Sequence, residues 1–354
     1  MGIKLILLLG LLPFSLSAST SSIQRAWGGV SDPLIMSTRF RYRYQDLPHR
    51  GQAKSFNNLW SGHYWPLKKG NINYRWNSSV KSGFNLQSPT RGQALKMSIK
   101  ELAALAPSEK YDLFTGRYDY PLKNQVSQLA NPRALIWEGI CHGWAPATIN
   151  HEEPMPKLAT NPDGLEIPFG SSDIKALLSY FYANGFESPT NQMGLRCEDG
   201  RVIYHRETCQ DDLNPGAFHI VLANKIGLSG ESFVTDIAAG KEVWNHPVEK
   251  YESLVISDSL APSKDAAAGT SKVIRIKTMV YFIEGAENRW QTILGTTSQS
   301  STKRQYIYDL ELDEQGMIIG GEWVSKDKPD FLWIKPRPKK FTGLLSRLGE
   351  LIHD

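Results

Sequence analysis

Six segments in the second half of the chain constrain the fold most, because each is rich in β-branched and aromatic residues. Turn-forming residues separate them, and their spacing favours antiparallel pairing over alternating βαβ units. We therefore predict a mainly antiparallel sheet. The predicted strands cover residues 217–224, 232–237, 251–257, 273–284, 305–312 and 317–324.

The first half of the chain carries helical patterns instead. Apolar residues recur at roughly helical spacing over 93–105, and a clearer stripe over 172–184 ends at Gly185. The 29 glycines and 20 prolines of this 354-residue chain speak against a helical bundle. Together these features predict an α+β fold, with helices packed on a mainly antiparallel sheet.

Residues 1–19 have the features of a secretory signal peptide. Lys4 gives a positive start, residues 3–16 are mostly apolar, and small residues follow. The apolar stretch is too short to span a bilayer, and no later stretch reaches eighteen apolar residues. We expect no stable membrane insertion and a secreted protein, periplasmic if the source is a Gram-negative bacterium. The alternative is a buried N-terminal helix.

Three further boundaries follow from composition. Residues 20–60 are polar and basic, and are interpreted as an N-terminal arm, a pro-segment or a first structural wrap. Residues 61–340 are expected to form a single large domain, and residues 341–354 a C-terminal amphipathic helix that docks on it.

The net charge is only +4, and the chain has no run of five lysines or arginines. Both features argue against a nucleic-acid partner.

The chain has three cysteines, an odd number. Cys197 and Cys209 are separated by eleven residues in a polar, turn-rich segment, and in an oxidising compartment they are natural disulfide partners. Closing that loop would stabilise the protein by about 3 kcal/mol in the chain-entropy model. The alternative is a zinc site with His205, which lacks a clear fourth ligand.

The remaining cysteine, Cys141, is a candidate nucleophile. It lies within residues 137–146 (WEGICHGWAP), where Gly139 permits a sharp turn and the residues after Cys141 can form a short helix. A cysteine at a helix start is expected to have a lowered pKa, which favours the thiolate. The alternative is a buried structural cysteine.

A thiolate nucleophile needs a base and a residue that orients the base. His219 lies in a predicted strand, and a short turn separates it from the strand that carries Asp236. If residues 224–231 close a hairpin, His219 and Asp236 are cross-strand neighbours on one side of the sheet. The order cysteine, histidine, aspartate, with the cysteine on a helix, is the layout of papain-like and transglutaminase-like thiol enzymes.

Two long motifs resemble those of the transglutaminase elicitor family, the secreted oomycete-type transglutaminases with bacterial relatives. They are residues 137–146 around Cys141 and residues 214–224 (NPGAFHIVLAN) around His219. Residues 242–248 (EVWNHPV) after Asp236 resemble the segment that follows, and weaker similarities spread over most of the mature chain.

The resemblance implies a papain/transglutaminase-like core and protein-glutamine γ-glutamyltransferase activity. Cys141 would attack a glutamine side chain, His219 would act as base and Asp236 would orient it. The partners would be protein substrates, with glutamine as acyl donor and lysine or a small amine as acceptor. Three tryptophans are candidates to line a dry acyl site: Trp137, Trp144 and Trp244.

No cofactor is required by this chemistry. An acidic group near the predicted disulfide is a candidate calcium site. It consists of Asp199, Asp211 and Asp212, whose spacing matches no EF-hand pattern. Two other functions use the same residues or fold. One is a secreted cysteine protease or amidase with water in place of the amine, and the other is a non-catalytic host-interacting protein.

The cysteine assignment predicts the number of free thiols. The unfolded, unreduced mature chain is expected to contain one free thiol, because Cys197 and Cys209 are joined. A thiol titration in denaturant measures this number. Three free thiols would refute the disulfide.

Overall fold

An antiparallel sheet is the largest element of the computed structural model, which describes residues 27–54, 59–196, 213–237 and 239–352. Eight strands form it, in the order β4-β10-β5-β6-β7-β8-β9, with β1 paired to β6. The strands are β1 (Arg50–Gln52), β4 (Asn191–Met193), β5 (Val234–Asp236), β6 (Asn245–Leu260), β7 (Lys272–Ile283), β8 (Ser301–Leu312), β9 (Ile318–Trp323) and β10 (Leu332–Ile334). A separate hairpin joins β2 (Lys157–Thr160) to β3 (Glu166–Phe169).

The long central strands show why this sequence forms a sheet. In β7, alternate residues from Ile274 to Val280 are buried, while Arg275, Lys277 and Met279 between them are partly exposed. This alternation places one face on the core and the other towards solvent. On the outer face Arg275 forms an ion pair of 2.7 Å with Asp309, its cross-strand neighbour on β8. Five of the six predicted strands are confirmed, as is the α+β fold with a mainly antiparallel sheet.

Most of the described α-helices come before the long strands in the chain. They are α1 (Arg91–Ala94), α2 (Ile99–Ala103), α3 (Pro107–Phe114), α4 (Pro121–Leu129), α5 (Cys141–Asn150), α6 (Ser171–Tyr180) and α7 (Pro215–Leu222). The helix predicted over 172–184 is confirmed as α6 and the π-helical turn Phe181–Gly185 that follows. The helix predicted over 93–105 is interrupted, because Ser98 caps α2 with its side chain and starts a new helix.

The strand predicted at 217–224 is wrong, because these residues belong to α7 and the π-helical turn after it. Asn214 caps α7 with its side-chain oxygen, and Pro215 occupies the first helical position. Every residue of α7 is buried, so an apolar run without polar alternation resembles a buried strand. The predicted hairpin between 219 and 236 is therefore absent.

The two ends of the described chain pack onto the body. Within 27–54, Trp27, Met36 and Leu47 are buried, and β1 pairs with the middle of β6. This part of the predicted N-terminal arm forms a wrap around the sheet, and its removal on maturation stays a prediction. The predicted C-terminal helix is instead two 3₁₀ turns, Gly343–Leu345 and Leu348–Leu351, which bury three leucines.

Three predicted features lie outside the described residues. They are the signal peptide at 1–19, the disulfide between Cys197 and Cys209 with the alternative ligand His205, and the acidic group Asp199, Asp211 and Asp212. In the described residues, no helix has both the length and the hydrophobicity that a membrane crossing requires.

Helix α5 packs directly against α6 at Gly143. A Cβ atom added to Gly143 would overlap the carbonyl oxygen of Ser179 and the side chain of Ala183. The two backbones approach each other at this point because residue 143 has no side chain. This contact sets how deeply the first turn of α5 sits in the protein.

The close approach predicts that Gly143→Ala destabilises the fold by about 1–3 kcal/mol, because the added methyl group meets backbone atoms. Gly92→Ala is the matched control, since Gly92 also lies in a helix and a Cβ there has no neighbour within 4 Å. Alanine at position 92 is expected to stabilise by up to about 1 kcal/mol. Urea unfolding of the two variants measures both effects, and equal stability of the two variants would contradict the packing argument.

Candidate active site

A cavity of about 430 Å³ opens beside the start of α5 and reaches Cys141. Its walls are aromatic, formed by Tyr64, Trp144 and Trp244, and Tyr64 and Trp244 contact each other edge-on at 5.6 Å. The remaining lining is polar or charged at several points: His63, Asn245, His246, Glu284, Glu287 and Arg304. The cavity therefore combines an apolar wall with titratable groups and a thiol.

Cys141 is the first residue of α5, as the sequence predicted, and only 6% of it is exposed. The turn before it is held by a hydrogen bond of 2.7 Å from the Ile140 N–H to the Tyr64 carbonyl. Gly139 allows this turn, because a Cβ there would overlap the backbone of Tyr64. The aromatic segment at 60–66 thus forms the wall next to the Cys141 thiol.

Several polar groups lie next to the sulfur atom of Cys141, among them the backbone N–H groups of Asn245 and His142. Its S–H donates to the Val243 carbonyl at 3.7 Å, and it accepts a hydrogen bond from Nδ2 of Asn245, also at 3.7 Å. Oδ1 of the same Asn245 side chain accepts a hydrogen bond of 2.8 Å from Nε1 of Trp333. The thiol is thus linked to β10 through one buried amide.

Burial raises the pKa of the Cys141 thiol above its ordinary value. Hydrogen bonds from Asn245 oppose this effect, whereas the negative charge of Asp236 adds to it. The largest cause is burial, so the pKa of the thiol shifts upward, opposite to the lowering expected at a helix start. The thiol is neutral until a proton acceptor removes its proton.

Asp236 is fully buried on β5, the strand next to the one that carries Asn245. The two residues are cross-strand partners, so their side chains lie on the same face of the sheet. Oδ1 of Asp236 accepts a hydrogen bond of 3.0 Å from the backbone N–H of Trp244. The structure therefore brings Asp236 to the electrostatic environment of Cys141, as its effect on the thiol pKa shows.

His219 has a different environment. Nδ1 of its buried ring lies 2.8 Å from the Tyr308 hydroxyl, which continues to Thr278 and then to Ser253 at 2.8 Å each. Its ring also lies 6.0 Å from that of Tyr44. His219, on α7, therefore belongs to a buried polar network that it forms with side chains of the sheet. It does not line the cavity at Cys141.

The length of β6 shows that the surroundings of Cys141 and the network of His219 are far apart. Asn245 at one end of this strand contacts Cys141, whereas Ser253, which ends the His219 network, lies eight residues further along. At about 3.3 Å per residue, these positions are about 26 Å apart. The structure therefore brings together Cys141 and Asp236 but not His219.

Two other histidines line the cavity. Nδ1 of His246 lies 2.8 Å from the Ile283 carbonyl, so this nitrogen carries the proton and Nε2 is the basic one. Burial lowers the pKa of His246, and burial with Lys69 lowers the pKa of His63 to about 4. Both imidazoles are neutral at neutral pH. His246 also packs edge-on against Trp144, with ring centroids 6.0 Å apart.

Sequence reasoning missed Asn245, His246 and Trp333. All three occur in segments that carry the family resemblance, but none stands out by charge or spacing. The only sequence signal for Asn245 and His246 was their place in the segment 242–248 that carries the family resemblance. Of the predicted tryptophans, Trp144 and Trp244 line the cavity; Trp137 does not, and its ring lies 5.7 Å from the Arg196 guanidinium.

A metal site has no support from the part of the chain that the structure describes. There, no three histidine, cysteine, aspartate or glutamate side chains converge as ligands would. The acidic residues named for calcium lie outside this part, so calcium binding stays a prediction.

Comparison with known proteins supplies the family. A model of the transglutaminase elicitor family matches residues 127–345, more than half of the chain. The chain belongs to this family. The matched stretch contains Cys141, Asp236, Asn245 and Trp333, and also His219.

A solved structure agrees with this membership. The chain is similar to the crystal structure of the GP42 transglutaminase from Phytophthora sojae, with a TM-score of 0.66 and 25% sequence identity. The match covers 90% of this chain and 94% of the other. No curated protein matches the chain.

The burial of His219 predicts an acid-sensitive fold. Burial lowers the pKa of His219 from 6.5 to about 3, so between these values the unfolded chain binds a proton that the native chain does not. The free energy of unfolding should therefore fall as pH drops from about 6.5 towards about 3, by up to about 1.4 kcal/mol per pH unit.

His219→Asn keeps a polar partner for Tyr308 but does not titrate, so its stability should depend less on pH over this window. Urea unfolding of both proteins at a series of pH values measures the difference. Parallel pH profiles would contradict the assignment of a neutral, buried His219.

Proposed function

We propose that the chain is a secreted transglutaminase that forms isopeptide bonds through a thioester on Cys141. The observation that carries this proposal is the position of Cys141, at a helix start and at the end of an aromatic-walled cavity. Family membership and the similarity to a solved transglutaminase support the reaction class.

Asp236 is proposed as the proton acceptor, in place of His219. A buried carboxylate whose charge acts on a neutral thiol is suited to receive its proton. His219 is bound within the Tyr308 network and has no role in the step. This assignment changes the predicted role of Asp236 from orienting a histidine to exchanging a proton with Cys141.

The first half of the reaction releases ammonia. Sγ of Cys141 attacks the carboxamide carbon of a glutamine side chain while the thiol proton passes to Asp236. The tetrahedral intermediate then breaks its C–N bond, and the proton held by Asp236 goes to the leaving nitrogen. The products are ammonia and a thioester. The backbone N–H of Cys141, at the helix start, is the proposed donor to the oxyanion.

The second half transfers the acyl group to an amine. A neutral lysine ε-amine attacks the thioester carbon, the C–S bond breaks, and one proton of the amine returns through Asp236 to the sulfur. The products are an isopeptide bond and the free thiol. The chemistry of neither half requires a cofactor.

The aromatic wall favours an amine over water as the second substrate. Cys141 is only slightly exposed, and Tyr64, Trp144 and Trp244 surround the space next to it. A thioester formed there is shielded from bulk water, which limits hydrolysis. The carboxylates Glu284 and Glu287 line the same cavity and suit a cationic lysine before it loses its proton. Protein substrates that present glutamine and lysine fit these features.

The proposal predicts that the purified mature protein incorporates a fluorescent amine into casein. Cys141→Ala should abolish incorporation, and Asp236→Asn should lower kcat by about 100-fold or more, because the proton acceptor is lost. His219→Asn should retain most of the activity of the folded protein. Incorporation of the fluorescent label and release of ammonia are the two measurements.

The matched control is Asp309→Asn, which removes a carboxylate paired with Arg275 on the outer face of the sheet. It should leave incorporation unchanged. Peptide cleavage or ammonia release without incorporation would identify a hydrolase instead. Loss of activity in His219→Asn with a normal unfolding curve would restore His219 as the base.

A further inference from the structure

We propose that Asn245 is a catalytic residue that holds the ionised sulfur of Cys141, and that Trp333 is the positioning residue that aims its amide. This inference rests on the proposed function only in taking Cys141 as the nucleophile. It adds two residues whose side chains were not assigned any role above.

The contact with Trp333 decides which way the Asn245 amide points. An indole N–H can only donate, so the atom that it meets at 2.8 Å must be the amide oxygen. The amide nitrogen then faces the other way, where Sγ of Cys141 lies 3.7 Å from it. The orientation therefore follows from the chemistry of the neighbours.

Ionisation of the thiol makes this amide more important. In the neutral state the S–H donates to the Val243 carbonyl, and this interaction is lost when the proton leaves. The sulfur anion then faces a carbonyl oxygen in a buried site. The Asn245 amide is a neutral donor already in place, and a hydrogen bond to a charged group is stronger than one to a neutral group.

Trp333 is itself held firmly, which makes it suitable as a support. It lies on β10, between β4 and β5, and its neighbours in the sheet are Gln192 and Val234. Its side chain packs in a small buried cluster with Ala145, which belongs to the helix that begins at Cys141. The support for the amide and the nucleophile are thus parts of one packed unit.

Other charged or titratable groups around the cavity also act on the sulfur or its surroundings. A test therefore has to separate hydrogen bonding from charge. The groups that line the cavity with Cys141 are His63, Tyr64, His246, Glu284, Glu287 and Arg304, and Asp236 acts from β5.

The experiment is the pH dependence of alkylation of Cys141 by iodoacetamide, followed by mass spectrometry of the peptide that contains it. The midpoint reports the thiol pKa without requiring acyl transfer. Asn245→Asp retains an acceptor for Trp333 but cannot donate when ionised, and Asn245→Ala removes the donor without adding charge. Both should shift the midpoint upward by about one pH unit or more.

Trp333→Phe should shift the midpoint upward by a smaller amount, because the amide remains but is no longer oriented. Trp323→Phe is its matched control, since Trp323 donates a similar bond of 2.7 Å to the Leu213 carbonyl away from Cys141. Asn224→Asp is the control for Asn245, because Asn224 is also a buried amide and contacts Arg41. Both controls should keep the wild-type midpoint, and thermal unfolding should identify variants that are not folded.

The outcomes discriminate clearly. An unchanged midpoint in folded Asn245→Ala overturns the proposal, and so does a shift confined to Asn245→Asp, since that would assign the effect to charge alone. A shift in Asn245→Ala that Trp333→Phe does not share refutes the role of Trp333. If the wild-type protein fails to incorporate amines but the midpoints shift as expected, the proposed function fails and the Asn245 inference stands.

Discussion

Burial of the Cys141 thiol is the constraint on which the rest of the site depends. A sulfur anion in a cavity with little water is costly, so the neutral thiol is favoured and its pKa is raised. Reactivity therefore has to come from specific neighbours: a group that takes the proton and donors that hold the anion. We propose that Asp236 and Asn245, which are partners across one strand pair, do these two tasks.

The same burial has a structural cause in the packing of α5. Gly143 lets this helix approach α6 closely, and the aromatic segment at 60–66 covers the other side of its first turn. The Trp144 indole donates to the Trp60 carbonyl, and Trp60 in turn donates to the His151 carbonyl at the end of α5. The nucleophile is thus enclosed by contacts formed between distant parts of the sequence. A catalytic fragment shorter than the whole domain would lose them.

The sequence predicted elements whose signals are local. The alternating strands were recovered because each buries one face, and Cys141 was placed correctly at a helix start. Helix α6 is buried throughout, but its polar residues keep the helical spacing of the apolar ones visible. The segment at 217–224 failed because it is apolar at nearly every position, which removes the periodicity that distinguishes helix from strand. Asn214 and Pro215 were the signals of a helix start. This one error produced the His219–Asp236 pairing, since cross-strand neighbours follow directly from the assumed strands.

Asn245 could not be predicted in the same way, because its role depends on a pairing that links β10 to β5 across about a hundred residues of sequence. Nothing local to Trp333 indicates that its indole will meet an amide next to the nucleophile. The carboxylate on β5 disfavours the sulfur anion, and the amide on β6 favours it, so the two strands set the thiol pKa between opposing effects. A proton that leaves Cys141 for Asp236 weakens the first effect and strengthens the need for the second. In the proposed mechanism, proton transfer to Asp236 and binding of the sulfur anion by Asn245 are therefore coupled through a single cross-strand pair.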